Sequence, residues 1–343
     1  MSNLQIGLAI SGALVLAGVV GYNAWSTRKN APRQAQPDAA PPAQDSTARE
    51  PEFDLSVFDG GLASVPSIEK RPALDALIDA VADIGLESAV SGEAALAAMP
   101  QTRRVGSKPF ALEGLNELTR EWETPAPGQR YSAFQTGVQL ANRTGALNEI
   151  EFSEFVQKTQ GFADQFNGTP EFPEMRDEVA RAKELDQFAS DHDAQLGFTL
   201  RAKKTAWSPG YVQQHAARRG FVAGALPGRM VLPASEPGLP PVLDLSFDTQ
   251  AALADDPAQS AIHALTLSLD VPLVRAEEQA FERMCDVAIA LAASMDGLIT
   301  DDNGRIIPID GLAMIGTDLA QLYATLAEHD LAAGSALARR LFS

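Results

Sequence analysis

The side chains able to do chemistry are few, and their spacing does not converge on a reaction. One cysteine, Cys285, excludes an internal disulfide framework and every multi-cysteine metal site. The four histidines, His192, His215, His263 and His329, show no paired ligand spacing. Gly220, Gly224 and Gly228 are evenly spaced, but no Lys-Ser or Lys-Thr follows, so they do not form a phosphate loop. Strand curvature or bulging accounts for them better. Asp301 to Gly304 opens like a calcium loop, yet no acidic residue closes it at position twelve, and it reads as a plain turn. Cys285 falls beside Met284 and Ala288 on an apolar helix face, which predicts a buried, inert thiol. His215 stands mid-helix among Gln213, Gln214 and Arg218 and reads as a solvated surface residue. No serine has a nucleophile-elbow context. The expectation is a protein without catalytic residues, metal ligands, cofactors or a small-molecule substrate.

The composition narrows the remaining classes. The chain has 343 residues, enough for two domains of ordinary size. With 27 Lys and Arg against 45 Asp and Glu, its formal net charge is −18, which argues against nucleic acid as a partner. Hydrophobic residues make up 45% of the chain, enough to build ordinary cores.

No Asp, Glu, Lys or Arg occurs from Met1 to Thr27. The run Ile6 to Trp25 is dominated by Ile, Leu, Val, Ala and Gly, and ~20 such residues at 1.5 Å each span the hydrocarbon of a bilayer. Tyr22 and Trp25 suit the interfacial belt. Arg28, Lys29 and Arg33 follow the run rather than precede it, which disfavours a cleaved signal and predicts a single-pass anchor, residues 1–27. The same bias places the amino terminus outside and the bulk of the chain in the cytoplasm. Residues 28–70, with Pro32, Pro37, Pro41, Pro42 and Pro51, read as a flexible Pro- and Ala-rich linker whose reach is about 35 Å.

The rest reads as a duplication. In Glu151–Gly168 and Ala280–Gly297 a constant offset aligns Phe152 with Phe281, Phe155 with Met284, Phe162 with Leu291, Phe166 with Met295 and Gly168 with Gly297. Each set recurs at three and four residues, the spacing of one buried helix face, and each glycine stands at a helix end. Strand-like segments precede both helices, at 131–141 and 261–271, and a further helix follows each. The fold class expected is α+β: two domains of antiparallel sheet plus helices, split βαβ in type, at 71–195 and 196–343.

The second domain is the clearer. Leu196, Phe198 and Leu200 alternate with polar or small neighbours, as do Leu243, Leu245 and Phe247, and Leu265, Leu267 and Leu269. Ser208 and Pro209 start a helix that stops at Gly220. Leu298–Thr300 and Arg305–Ile307 flank an Asn-Gly turn.

The anchor, the linker and this element order resemble the ZipA family of bacterial division proteins. The residues that carry the likeness are Ser208-Pro-Gly to Gly220-Phe221, Leu269-Asp-Val-Pro272, and Phe281 to Gly297 followed by Leu298-Ile-Thr-Asp-Asp-Asn-Gly-Arg305. The likeness covers about residues 196–332. The family strand that usually reads Gly-Phe-x-x-Gly-Asp-Met-Asn stands here as Gly220-Phe-Val-Ala-Gly-Ala-Leu-Pro227, so the Asp and Asn are gone and Leu226 occupies the Met position. The resemblance implies a protein of the bacterial inner membrane, amino terminus periplasmic, working at the division septum. Its partner would be the carboxy-terminal tail of the tubulin-like FtsZ, bound largely as a helix in a shallow apolar groove. Leu226 carries over as a partner-binding residue, and Val222 joins it if the two share a strand face by their even spacing. The alternative is a membrane-anchored scaffold of similar fold that binds another envelope or division protein.

Overall fold

The computed structural model describes residues 32–35 and 74–343, apart from 258, 302, 303 and 308. The expected anchor, most of the expected linker and the segment Phe53–Phe58 lie outside the described residues. Among those described, no helix is long and apolar enough to cross a membrane.

The chain forms two units, 45–193 with 324–343, and 1–44 with 194–323. The first contains β1 (Asp79–Ser91), α1 (Gly92–Ala98), β2 (Arg104–Val105), β3 (Lys108–Asn116), β4 (Trp122–Glu123) and β5 (Arg130–Gln139). A small hairpin follows, β6 (Ala141–Asn142) and β7 (Gly145–Ala146), then α2 (Glu149–Ala163), β8 (Thr169–Glu171) and α3 (Met175–His192). The helix α2 starts where it does because Asn148 and Glu151 form a reciprocal capping box. Its buried face sets Phe152, Phe155 and Phe162 against Phe110 and Phe134 of the sheet. Lys108 is buried, and its ammonium donates to Asn142 Oδ1 at 2.7 Å and to the Gly145 carbonyl, tying β3 to the hairpin. Burial holds that amine below the usual lysine range.

The second unit contains β9 (Gln195–Ala202), α4 (Pro209–Ala217), β10 (Val222–Ala223), β11 (Arg229–Leu232), β12 (Leu243–Phe247), α5 (Thr249–Ala252), β13 (Ala264–Asp270), α6 (Ala280–Met295), β14 (Gly297–Thr300) and most of α7 (Ile309–Glu328). Ser208 caps α4 by accepting the Tyr211 N–H, with Pro209 in the first turn. Beyond β14 the chain turns back: Gly304 N–H donates to Asp301 O, and Ile306 bridges Thr300.

The two sheets share one topology. The first runs β2–β3–β5–β1–β8, with β4 also on β3; the second runs β11–β12–β13–β9–β14, with β10 outside β11. Strand by strand the orders correspond, every pairing is antiparallel, and α1, α2 and α3 fall in the chain where α4, α6 and α7 do. At the offset that aligned the helices, the buried positions also coincide. Phe152, Phe155, Thr159 and Phe162 are buried, as are Phe281, Met284, Ala288 and Leu291. Asn167 and Asp296, each just before the aligned glycine, both take left-handed φ, at 50° and 56°. Amphipathic helices in general share a buried stripe, but a shared left-handed residue, a shared order of five strands and three matching helix positions go beyond that.

Two expectations need correction. The second domain does not run to Ser343: residues 324–343, including α8 (Ala336–Leu341), belong to the first unit. Gln139 donates to the Arg340 carbonyl at 2.7 Å, Arg340 pairs with Asp79, and Leu331, Leu341 and Phe342 are buried. A short apolar segment reads the same beside either core, so periodicity could not assign it. The linker is also not unstructured throughout: Arg33 forms a parallel bridge to Trp207, made by backbone hydrogen bonds that flexible-linker composition does not reveal.

Candidate partner-binding face

The face follows from strand alternation and register. Met230, Leu245, Leu267 and Phe198 are opposed across four strands and are buried in the core with Val212, Ala216, Met284 and Leu291 of the helices. The intervening residues therefore point to the other side of the sheet. One row there reads Val222, Val231, Asp244, Ser268 and Gly197. The next reads Arg229, Ser246, Thr266, Thr199 and Thr300, with Ile306 bridged beyond. Arg201 and Leu298 begin a third.

The chemistry of this face is mixed. Hydroxyls occupy its middle, while the exposed apolar side chains Val222, Leu298 and Ile306 stand at its margins. Arg229 and Arg201 are exposed cations on the same side. The expected continuous apolar groove is thus replaced by apolar ends around a polar centre. Asp244 is half-buried in that centre. Burial pushes its carboxyl above the usual range, nearby Arg229 opposes this and Asp270 adds to it.

Val222 and Leu226 do not share a strand. β10 ends at Ala223, and Leu226 lies in the loop to β11, closed by Gly224 N–H to Arg229 O and Arg229 N–H to Leu226 O, at 3.0 and 3.1 Å. Gly228 (φ +77°) permits that return, since a Cβ there would meet the Phe247 carbonyl oxygen at 2.7 Å. Both residues are exposed, Val222 by 48% and Leu226 by 61%, and neither is a core residue. Their separation by a turn was not readable, because Gly-Ala-Leu-Pro-Gly fits a bulged strand as well as a loop. Asp244, Arg229 and the hydroxyl rows were missed for a related reason. Alternation divides a strand into two faces without saying which one the helices cover.

Residues 253–316, from the end of α5 through β13, α6 and β14 into α7, match the family model described as ZipA, C-terminal FtsZ-binding domain. Over this stretch the second unit is similar to the ZipA family. No curated protein matches the chain. The matched residues begin after Leu226, so Val222 and Leu226 stand on their placement and on the residue pattern at 220–227. The family is one of protein-binding division domains, not of enzymes.

Two residues singled out earlier resolve differently. His215 is half-buried rather than solvated: it lies 4.3 Å from the Tyr211 ring, and its Nδ1 is 3.1 Å from Ser294 Oγ. Burial, then Arg218, Arg219 and Arg33, holds its pKa below the usual value. Cys285 is partly buried, and burial with the nearby Asp286 and Glu282 pushes its thiol up to about 11. The thiolate is the reactive form. At pH 8 the native chain should therefore react with an aromatic disulfide reagent far more slowly than the urea-unfolded chain. Equal rates would contradict the burial.

The corresponding face of the first unit is already occupied. There Gln139 and Asp79 lie opposite each other and bond to Arg340, while Leu74 packs over Gly137, where an added Cβ would clash with its Cδ2. The carboxy-terminal segment, with the short helix α8, thus covers part of the face that in the second unit carries Val222 and Asp244.

Proposed function

We propose that this chain is a cell-division protein of the bacterial inner membrane. It tethers FtsZ filaments at the division site by taking the FtsZ carboxy-terminal tail on the open face of its second unit. The observation that carries this reading is the match of that unit to an FtsZ-binding family, on a sheet whose helix-free side bears exposed apolar residues. The second unit is favoured over the first because the chain's own carboxy terminus lies on the equivalent face of the first. Residues 6–25 supply the anchor, with the amino terminus periplasmic. Leu226 and Val222 act as apolar anchors, exposed on or beside the open face of the sheet.

The test is localisation of the fluorescently tagged protein in dividing cells. Septal rings that vanish on FtsZ depletion support the tether. Rings that persist without FtsZ, or a uniform envelope signal, reject it.

Asp244 adds a pH dependence. Its folded-state pKa is raised, so the folded unit binds more protons than the unfolded one, and ionisation of this group costs stability as pH rises through that pKa. Covering the face with a tail deepens the same desolvation. FtsZ-tail affinity should therefore rise as pH falls through the raised pKa of Asp244, and Asp244→Asn should raise affinity at neutral pH and flatten the profile. A profile identical in wild type and variant would remove Asp244 from the interface.

A further inference from the structure

The strongest unexplained contact in the second unit is made by four residues from near the other end of the chain. Arg33 N–H donates to the Ala206 carbonyl at 2.7 Å, and Ser208 N–H donates to the Arg33 carbonyl at 2.8 Å. This adds a parallel bridge to Trp207, whose own N–H and C=O pair with Ile262 on the opposite side. Trp207 is fully buried, and its indole N–H donates to the Met295 carbonyl at 2.8 Å. The Arg33 guanidinium reaches the same place: Nη2 lies 2.9 Å from Asp296 Oδ2, and Nη1 lies 3.4 Å from Met295 O.

The acceptor is built for a cation on an extended segment. Met295 closes α6, where unsatisfied carbonyls carry the negative end of the helix dipole, and Asp296 adds a carboxylate one residue on. The left-handed φ of Asp296 (56°) belongs to the turn between α6 and β14, so the carboxylate is positioned by the fold itself. The Ala206–Ser208 backbone supplies one acceptor and one donor in register. Beside them Ala35 lies over α4, 3.7 Å from where a Gly210 Cβ would stand.

We infer that Pro32–Ala35 clasps the second unit and seats it directly beneath the membrane anchor; this rests on the anchor proposed above. Arg33 is eight residue steps beyond Trp25, so the fully extended chain gives at most about 28 Å between the end of the apolar run and the clasp. The FtsZ-binding unit is then held at the membrane surface. Residues 36–73 become the connection to the first unit rather than the tether of the second.

The experiment uses the full chain in lipid vesicles and the variant Arg33→Glu, a change outside the cores. The amide hydrogen of Ser208 should exchange about tenfold faster or more in the variant, while those of Trp207 and Ile262, bonded to each other, stay protected. Energy transfer from a donor on Gln250→Cys, in a Cys285→Ala background, to a headgroup-labelled lipid should fall. Asp296→Asn should shift both readouts in the same direction. Unchanged Ser208 exchange overturns the clasp. Faster exchange with unchanged energy transfer overturns the seating. Vesicle flotation is scored separately: a chain that does not float refutes the anchor and with it the seating, while the exchange data still decide the clasp.

Discussion

Truncation after Asp330 is expected to unfold the first unit and leave the second folded. The removed residues include Leu331, Leu341 and Phe342, all buried, and each is worth roughly 1.5–3 kcal/mol of burial. Arg340 leaves with them, stripping fully buried Asp79 of its ion-pair partner, a change that costs about 3–5 kcal/mol when a buried pair is broken. Gln139 loses its bond to the Arg340 carbonyl as well. Together these approach the whole stability of an ordinary domain, about 5–15 kcal/mol. Residue-resolved hydrogen exchange reads the outcome, with β5 reporting the first unit and β13 the second. Loss of protection in β13 with β5 retained would return the tail to the second domain. Phe342→Ala alone should cost about 3–5 kcal/mol, all of it in the first unit.

Leu226→Asp is expected to weaken FtsZ-tail binding by about 10- to 100-fold, or roughly 1.4–2.8 kcal/mol, without unfolding the protein. A carboxylate at an apolar contact must be desolvated without a partner, which explains the size of the loss. The exposure of Leu226 at the tip of the β10–β11 loop explains why the fold survives. Val222→Asp should act in the same direction, since Val222 begins the row that leads to Asp244. Anisotropy of a labelled tail peptide, with a thermal melt as control, measures both variants in the full chain. Intact folding with unchanged affinity would move the site elsewhere. A lost melt would place Leu226 in the core after all.

Much of the architecture was legible in the residues because local rules act there without help. Ser208-Pro209 starts a helix wherever the chain goes, since the hydroxyl satisfies an orphan N–H and proline lacks one. The alternation of Leu243, Leu245 and Phe247, or of Leu265, Leu267 and Leu269, makes strands with one buried face. The matching faces of α2 and α6 were legible because a helix packed on a sheet must bury one stripe of positions, and here the two stripes align. In each copy the residue before the aligned glycine can enter left-handed φ, Asn167 in one and Asp296 in the other.

Tertiary structure decided whatever depended on partners distant in sequence. Leu331, Leu341 and Phe342 are apolar enough for either core, and contacts distant in sequence, such as the pairing of Arg340 with Asp79, 261 residues away, show which one they join. Arg33 sits in a proline-rich stretch whose composition predicts no structure, yet a helix end and a carboxylate formed 262 and 263 residues later give its guanidinium fixed partners. The side of the sheet that stays open was undecided for the same reason. Alternation sets two faces apart, but α4 and α6 choose between them by packing, and that choice left Asp244, Arg229 and the hydroxyl rows on the outside. Sequence alone determined which elements form, because their hydrogen bonds and periodicity are local. The surface they present to a partner came only with the fold, because burial is a property of the assembled core.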